Sequence, residues 1–239
     1  MLLFYIFIRQ LCSMKKFLFI PLGIVLLFAF APQKKTKVIF FGDSITELGA
    51  KSEKYVGYIL RMDSMLKVEK KDNQYELIGS GISGNKVYDL YLRLEDDVLN
   101  KNPDVVVIYI GVNDVWHKAL RQTGTDPDKF EKFYQAIINK LKAKKIKIIL
   151  CTPAVIGEKT DFTNPQDIDL NAYSGIIRGV AQKNSLALVD LRQNFLDYNK
   201  QNNKDNKESG ILTTDRVHLN ASGNQMVADE MWKALKDIK

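Results

Sequence analysis

The chain has 239 residues, of which 46% are hydrophobic, and this size and composition suit one folded domain rather than two. Its formal net charge is +7, and the densest basic run, residues 140–147, stands at a predicted helix end, where cations are favourable. No nucleic-acid-binding motif accompanies this run, so we interpret it as a solvated helix end. The basic run therefore does not indicate a nucleic-acid-binding protein.

The amino-terminal residues have the features of a secretory signal peptide. Two lysines precede an apolar stretch over residues 17–31 that ends in a small-x-small sequence, and the stretch is shorter than the about 20 apolar residues of a membrane span. We expect residues 1–31 to be a signal peptide, with 1–13 an upstream extension, and residues 32–239 to be a secreted or periplasmic domain. Because Pro32 disfavours cleavage, retention as an amino-terminal membrane anchor is the alternative.

Apolar strands alternate with helical stretches along the rest of the chain. This alternation, with short connections, predicts an α/β fold: a flavodoxin-like three-layer sandwich with a five-stranded parallel sheet. A ligand is then expected at the carboxyl edge of the sheet. The predicted strands are 37–41, 75–79, 104–110, 146–151 and 186–190, and the predicted helices are 54–67, 85–100, 128–144, 168–184 and 221–237.

The first predicted strand ends in a serine that is a candidate nucleophile. The buried run Lys37–Phe41 leads directly into Gly42-Asp43-Ser44, which places the Ser44 hydroxyl at the carboxyl edge of the sheet. Asp-Ser is also typical of an ordinary helix N-cap, so this motif alone does not decide between the two interpretations.

The second and third predicted strands end in glycine-rich segments that also carry asparagine. Residues 75–79 lead to Gly84-Asn85, and residues 104–110 lead to Gly111-Val112-Asn113-Asp114. A flexible backbone and a neutral amide donor are what an oxyanion hole requires. Two ordinary glycine-bearing strand-to-helix turns are the alternative.

A carboxylate and an imidazole stand three residues apart near the carboxyl terminus, as Asp215 and His218. The chain has only two histidines, so a histidine general base must be His117 or His218, and the partner at Asp215 favours His218. A surface ion pair is the alternative. The two histidines are far apart and lack cysteine or carboxylate companions at ligand spacing, so no metal site is predicted.

Taken in order, these four motifs resemble the SGNH hydrolases, also called the GDSL esterase and lipase family, over nearly the whole chain after residue 36. The resemblance implies that Ser44 is the nucleophile and supplies the first oxyanion N–H. It implies that Gly84 supplies the second oxyanion N–H, that Asn113 supplies a side-chain donor, and that Asp215 and His218 complete a triad.

Within that family, residues 110–116 and 215–218 are most similar to the bacterial carbohydrate-esterase-like branch, although Leu219 stands where many relatives have proline. We therefore expect an exported serine esterase that removes short acyl groups, with acetyl as the expected group, from carbohydrates, and that needs no cofactor. A lysophospholipase or lipid esterase, an O-acyltransferase and a non-catalytic sugar-binding module are the alternatives. The expected partner is a small-molecule or polysaccharide ester, without nucleic acid, and with a membrane only through an uncleaved amino-terminal segment.

Several features around these motifs yield further expectations. Trp116 either stacks on a sugar ring or packs in the interior, and the connections 115–128 and 152–167 are expected to form polar rims beside Ser44. The polar run 199–210 is expected to be a mobile surface loop, either a lid or a plain insertion. Cys151, inside an apolar strand, is expected to be a buried thiol.

Overall fold

The computed structural model describes residues 34–52 and 54–238, so the predicted signal peptide at residues 1–31 lies outside the described residues. The described chain contains one parallel sheet of five strands in the order β2-β1-β3-β4-β5, which is the flavodoxin-like order. The predicted fold class and all five predicted strands are confirmed. The strands are β1 (Thr36–Gly42), β2 (Tyr75–Gly81), β3 (Val105–Tyr109), β4 (Lys147–Cys151) and β5 (Ala187–Val189).

Eight α-helices connect and cover these strands in the described residues. Five correspond to the predicted helices, whereas α1, α4 and α7 were not predicted as helices. The helices are α1 (Ser44–Gly49), α2 (Tyr58–Val68), α3 (Val87–Asp97), α4 (Val112–Arg121), α5 (Pro127–Ala143), α6 (Asp167–Asn184), α7 (Leu191–Asn202) and α8 (Ala221–Asp237), with a short 3-10 turn at Leu99–Lys101.

The apolar runs of the central strands are buried on both faces. Every residue of β3 is buried, as are residues 38–42 of β1. The helices pack directly on the sheet, with α2 against β2, α5 and α6 against β4, and α8 against β5. Two-sided burial explains why these strands are continuously apolar rather than alternating. Cys151 ends β4 as a buried free thiol, as expected.

The topology of the sheet brings three of the candidate motifs to one edge. β1 lies between β2 and β3. After β1 the chain first adds β2 on one side of it and then crosses over to add β3 on the other side. Such a switch in strand order opens a crevice at the carboxyl ends of the strands. Ser44 follows β1, Gly84 follows β2 and Asn113 follows β3, so the fold itself gathers these residues.

The expectation that residues 199–210 form a mobile surface loop is wrong for the first part of the segment. Residues 199–202 complete α7, and the side chains of Asn199 and Asn203 are buried. Asn203 Nδ2 donates hydrogen bonds to the backbone oxygens of Glu158 (2.7 Å) and Lys207 (2.8 Å). Amide side chains can be buried where, as at Asn203, they satisfy backbone groups. Among the described residues, no helix is long and apolar enough to cross a membrane.

Candidate active site

Ser44 is the first residue of α1, at the carboxyl end of β1. Asp43 caps this helix, and its Oδ1 accepts a hydrogen bond from the backbone N–H of Ile45 at 2.9 Å. The backbone N–H of a first helical residue has no intrahelical acceptor, so the Ser44 N–H is available to a ligand. The N-cap interpretation of the Asp-Ser motif is confirmed for Asp43, and the interpretation of Ser44 as a nucleophile stays a prediction.

The Ser44 hydroxyl lies within hydrogen-bond distance of the predicted base. Ser44 Oγ is 2.9 Å from His218 Nε2, and His218 Nδ1 is 2.7 Å from Asp215 Oδ2. The backbone N–H of His218 also donates to Asp215 Oδ1 at 2.8 Å. Burial acts to raise the pKa of Asp215, but the hydrogen bonds from His218 prevail and hold this pKa below its ordinary value. A carboxylate that stays ionised can orient an imidazole and stabilise its protonated form.

Asp215 and His218 lie at the tip of a compact turn formed by residues 212–220, here called the acid–base turn. Thr213 and Leu219 pair as an isolated antiparallel bridge, and the Thr214 N–H donates to the His218 carbonyl at 2.8 Å. Asn220 closes the turn and caps α8, with its Oδ1 accepting from the Gly223 N–H at 3.0 Å. The predicted helix at residues 221–237 is confirmed.

The candidate oxyanion donors come from two neighbouring strand-to-helix connections. Gly84 has φ +78°, a left-handed conformation that favours glycine, and Asn113 lies in the first turn of α4. Asn113 Nδ2 donates to the Asn85 carbonyl at 3.1 Å, which fixes the amide and leaves its second hydrogen for a ligand. Glu47 of α1 ties the Gly84 turn to the helix of Ser44, because its Oε2 accepts from the Ser83 N–H at 2.9 Å.

The other histidine, His117, lies near Gly84 on α4 and is not paired with Ser44. A Cβ atom built on Gly84 would lie 3.8 Å from His117 Cε1. Burial, with smaller contributions from Lys86 and Arg121, lowers the pKa of His117, which favours the neutral ring. The Trp116 side chain is partly buried against the core, with its ring centroid 5.9 Å from that of His117. The packing interpretation of Trp116 therefore describes the structure.

Asp43 and Asp114 are two buried carboxyl groups next to the site. They were not identified from the sequence as groups whose ionisation the site could affect. Asp43 is 1% exposed and Asp114 is fully buried. Burial, with a smaller contribution from Asp114, raises the pKa of Asp43 to about 7. Burial likewise raises the pKa of Asp114 to about 7, although the Val87 N–H donates to it at 3.2 Å. Each group is therefore easier to bury as the neutral acid.

Arg93 of α3 is a further residue that sequence reasoning missed. Its guanidinium donates to the carbonyls of Gly42 (2.8 Å) and Ser80 (3.0 Å) and to Asn85 Oδ1 (2.7 Å). It thereby joins the carboxyl ends of β1 and β2 to the turn that carries Gly84. The contact with Gly42 spans 51 residues of sequence, so no local pattern signals it.

A cleft of about 230 Å³ lies beside His218, between the acid–base turn and the segment after α1. Neither Gly84 nor Asn113 lines it, so the cleft is on the imidazole side of the site. Its lining residues are Leu48, Lys51, Lys54, Tyr55, Thr214, Asp215, His218, Leu219 and Asn224.

The connections 115–128 and 152–167 differ from the polar rims that we expected. Much of the first belongs to α4, and Glu158 and Asn164 of the second are buried. Within the described residues, no group of three or more His, Cys, Asp or Glu residues could hold a metal ion.

Comparisons with known proteins find relatives over most of the chain. The family model described as GDSL-like lipase/acylhydrolase matches residues 40–226. An acetylxylan esterase of Geobacillus stearothermophilus is 29% identical over 205 residues, which cover 80% of this chain and 90% of that protein. A crystal structure of an acetyl xylan esterase, AlAXEase, is 63% identical, with a TM-score of 0.81, and covers 83% of this chain and 99% of its own.

A solved structure of the Geobacillus stearothermophilus acetylxylan esterase has a TM-score of 0.74 and 25% identity, covering 87% of this chain and 98% of its own. That structure and two others of the same enzyme are described as catalytic mutants, with alanine in place of a serine, a histidine and an aspartate. Residues of these three types meet at the carboxyl edge of the sheet in this chain.

Proposed function

Since the chain belongs to the GDSL-like lipase/acylhydrolase family and is an esterase acting on carboxylic ester bonds, we propose that it removes O-acetyl groups from xylan or xylooligosaccharides. The observation that carries the mechanism is the hydrogen-bonded series Ser44, His218 and Asp215 beside three candidate oxyanion donors. The substrate class is supported by the relative at 63% identity, whose described activity is on acetyl xylan.

In the proposed reaction, Ser44 Oγ attacks the ester carbonyl carbon while its proton passes to His218 Nε2. The oxyanion accepts hydrogen bonds from the N–H groups of Ser44 and Gly84 and from Asn113 Nδ2. His218 then gives the proton to the departing sugar oxygen, leaving an acetyl group on Ser44. Water, deprotonated by His218, releases acetate and restores the serine.

The sugar that departs is proposed to occupy the cleft beside His218. The leaving oxygen takes its proton from His218, so the sugar must lie on the imidazole side of the site, where this cleft opens. The half-buried Tyr55 offers an aromatic ring with a polar tip in this cleft, a surface suited to a sugar ring. Tyr55 thus takes the stacking role that the sequence suggested for Trp116.

Two alternatives within the enzymes are less well supported. A lipid esterase must bury a long apolar acyl chain, each CH₂ contributing about 0.8 kcal/mol, whereas the solved relative at 63% identity is described as an acetyl xylan esterase, whose acyl group is a single acetyl. An acyltransferase must keep water from the acyl-enzyme, whereas the His218 and Asp215 side chains are 25% and 52% exposed. Hydrolysis of short acyl esters is therefore the preferred proposal.

Export is the second part of the proposal and depends on the amino-terminal sequence. The basic pair and apolar stretch before residue 32 are typical of a secretory signal, and a polymeric substrate such as xylan has to be met outside the cell. Amino-terminal sequencing of the protein from its native host should find a start shortly after Ala31. A cytoplasmic protein that begins at Met1 or Met14 would contradict export.

The substrate is tested by measuring acetate release from acetylated xylooligosaccharides and fatty-acid release from lysophospholipids. We expect acetate from the former, and a fall of kcat/KM on p-nitrophenyl esters as the acyl group lengthens from acetyl through butyryl to octanoyl. A rise along that series, with release of fatty acid from lysophospholipids, would replace this proposal with the lipid esterase.

A further inference from the structure

Glu158 is a buried carboxylate whose three hydrogen-bond donors are all backbone groups of one segment. The residue is 1% exposed and lies in the connection between β4 and α6. Its Oε1 accepts from the N–H groups of Leu212 at 2.6 Å and Thr213 at 2.8 Å, and its Oε2 accepts from the Ile211 N–H at 2.8 Å. Charge-assisted hydrogen bonds of this kind are stronger than those between neutral groups.

The backbone around Glu158 is tied to the same part of the chain. The Gly157 N–H donates to the Arg216 carbonyl at 2.9 Å, and the Glu158 N–H donates to the Glu208 carbonyl at 3.0 Å. Gly157 has φ +100°, and a Cβ atom there would lie 2.4 Å from Asn164 Oδ1, so this position requires glycine. The turn at Gly157 thus directs the carboxylate of Glu158 inwards, towards residues 211–213.

Residues 212 and 213 begin the acid–base turn, whose tip depends on its two legs. The Asp215 side chain is 52% exposed, and Val217 is the side chain that packs the tip into the core. The second leg runs into α8 through the Asn220 cap, and the first is held by Glu158. A shift of the first leg would move the imidazole of His218 away from Ser44 Oγ, which it meets at 2.9 Å.

We infer that Glu158 is a positioning residue, which clamps the first leg of the acid–base turn and so keeps His218 in line with Ser44. The inference rests on the proposed roles of Asp215 and His218. Because proton transfer depends steeply on geometry, and a displacement of about 1 Å can cost about 100-fold in rate, a loss of the clamp should lower kcat. KM should change little, because Glu158 lies away from the cleft lining.

The test compares Glu158→Gln, Glu158→Asp and the wild-type domain in the hydrolysis of p-nitrophenyl acetate, alongside thermal unfolding. Glutamine keeps one acceptor oxygen but turns an NH₂ towards backbone N–H groups, and we expect kcat to fall by about 100-fold with KM within about threefold. Aspartate keeps the charge on a shorter side chain and should recover part of the loss. A kcat within about threefold of wild type in folded Glu158→Gln, at an assay temperature below its unfolding midpoint, would overturn the inference.

A matched control separates positioning from general destabilisation. Glu69→Gln also alters a carboxylate with a buried partner, since Glu69 Oε1 accepts from Trp232 Nε1 at 2.8 Å, but it lies after α2 and away from the turn. We expect this control to lower the unfolding midpoint and to leave kcat unchanged. If Glu158→Gln does not fold, Glu158→Asp carries the same comparison, and a kcat loss no greater than that of the control would overturn the inference.

A double-mutant cycle identifies the route by which Glu158 acts. If Glu158 works through the histidine, Glu158→Gln should lose its effect on the residual rate once His218→Ala is present. An equal loss in both backgrounds would mean that Glu158 supports the fold alone. Because p-nitrophenyl acetate is used, failure to release acetate from xylooligosaccharides would contradict only the proposed substrate, whereas an unimpaired His218→Ala would contradict the proposed triad.

Discussion

The proposed nucleophile and the proposed acid–base pair are built by two different parts of the molecule. Ser44 belongs to the sheet edge, where a Cβ atom on Gly42 would lie 2.4 Å from the Tyr109 carbonyl and one on Gly81 would lie 2.1 Å from the Glu47 N–H. The helix of Ser44 is therefore packed directly against β1 and β2, and β1 in turn lies close against β3. His218 belongs to a turn outside the sheet, whose position depends on hydrogen bonds to Glu158 and on the cap of α8.

This difference indicates how the two halves of the site respond to substitutions. The nucleophile side is set by close backbone packing, which any added side-chain atom disrupts, as in a well-packed core. The acid–base turn is held by the buried side chains of Leu212, Val217 and Leu219 together with polar contacts, and we expect the loss of one polar contact to move it without unfolding the sheet. The predictions below probe the two sides in turn.

The largest expected effect is the loss of either reacting side chain. Ser44→Ala and His218→Ala should each lower kcat on p-nitrophenyl acetate by about 10⁴-fold or more, because the residues act as a unit. Neither change removes a core contact, so urea unfolding should stay close to wild type. Retained activity in Ser44→Ala, with loss in His117→Ala, would contradict the assignment.

The next effect concerns the sheet-edge side alone. Asn113→Ala should lower kcat by about 100-fold with little change in KM, because the amide stabilises charge that develops only in the transition state. Asn100→Ala, an exposed asparagine after α3, serves as the control. A change in KM without a change in kcat would mean that Asn113 binds the substrate rather than the oxyanion.

The sheet-edge side could be predicted from the sequence much better than its surroundings. Continuous apolar runs identify the strands, and strand ends identify the positions of Ser44, Gly84 and Asn113. The helix α4 was missed because Val112–Arg121 mixes polar residues with Trp116 and His117, and α7 because only Leu191 and Phe195 of its residues are buried apolar side chains.

The parts that support the acid–base turn could not be predicted in this way. Asp215 and His218 were found because they are close in sequence, whereas Glu158 meets its partners 53 to 55 residues away. A carboxylate in a polar connection is typical of a solvent-exposed rim, and only the fold brings unpaired backbone N–H groups to it. Arg93 was missed for the same reason, since its partners lie on other elements.

A smaller effect is expected in the cleft between the two sides. Tyr55→Ala should lower kcat/KM on acetylated xylooligosaccharides by about 10-fold, through lost contact with the sugar, and leave p-nitrophenyl acetate within about twofold. Both esters give the same acetyl-enzyme, so the difference reports the leaving group alone. Tyr91→Ala is the matched control, since both tyrosines are half-buried with a lysine over the ring, 5.5 Å from the ring centroid for Tyr55 and 4.9 Å for Tyr91, and Tyr91 lies on α3. Equal losses on both substrates would place Tyr55 outside the sugar site.

The smallest effect is a difference in the pH dependence of stability between the two sides. Burial raises the pKa of Asp43 to about 7, so the folded state holds this proton more tightly than the unfolded state. Asp43 therefore favours the folded state less as the pH rises from about 4 to about 7, and its contribution is constant above that. The pKa of Asp215 is instead lowered, so its contribution is present above the unfolded pKa and is lost as the pH falls through the folded pKa.

The two substitutions Asp43→Asn and Asp215→Asn separate these contributions. Asparagine at position 43 can still cap α1 through its side-chain oxygen, and it removes the cost of ionisation in the interior. Urea unfolding at a series of pH values should show that Asp43→Asn gains stability on wild type progressively as the pH rises from about 4 to about 7. Asp215→Asn should instead lose stability relative to wild type above pH 4, by a smaller amount because its side chain is half exposed. Parallel curves for wild type and Asp43→Asn would mean that Asp43 is ionised in both states across this range.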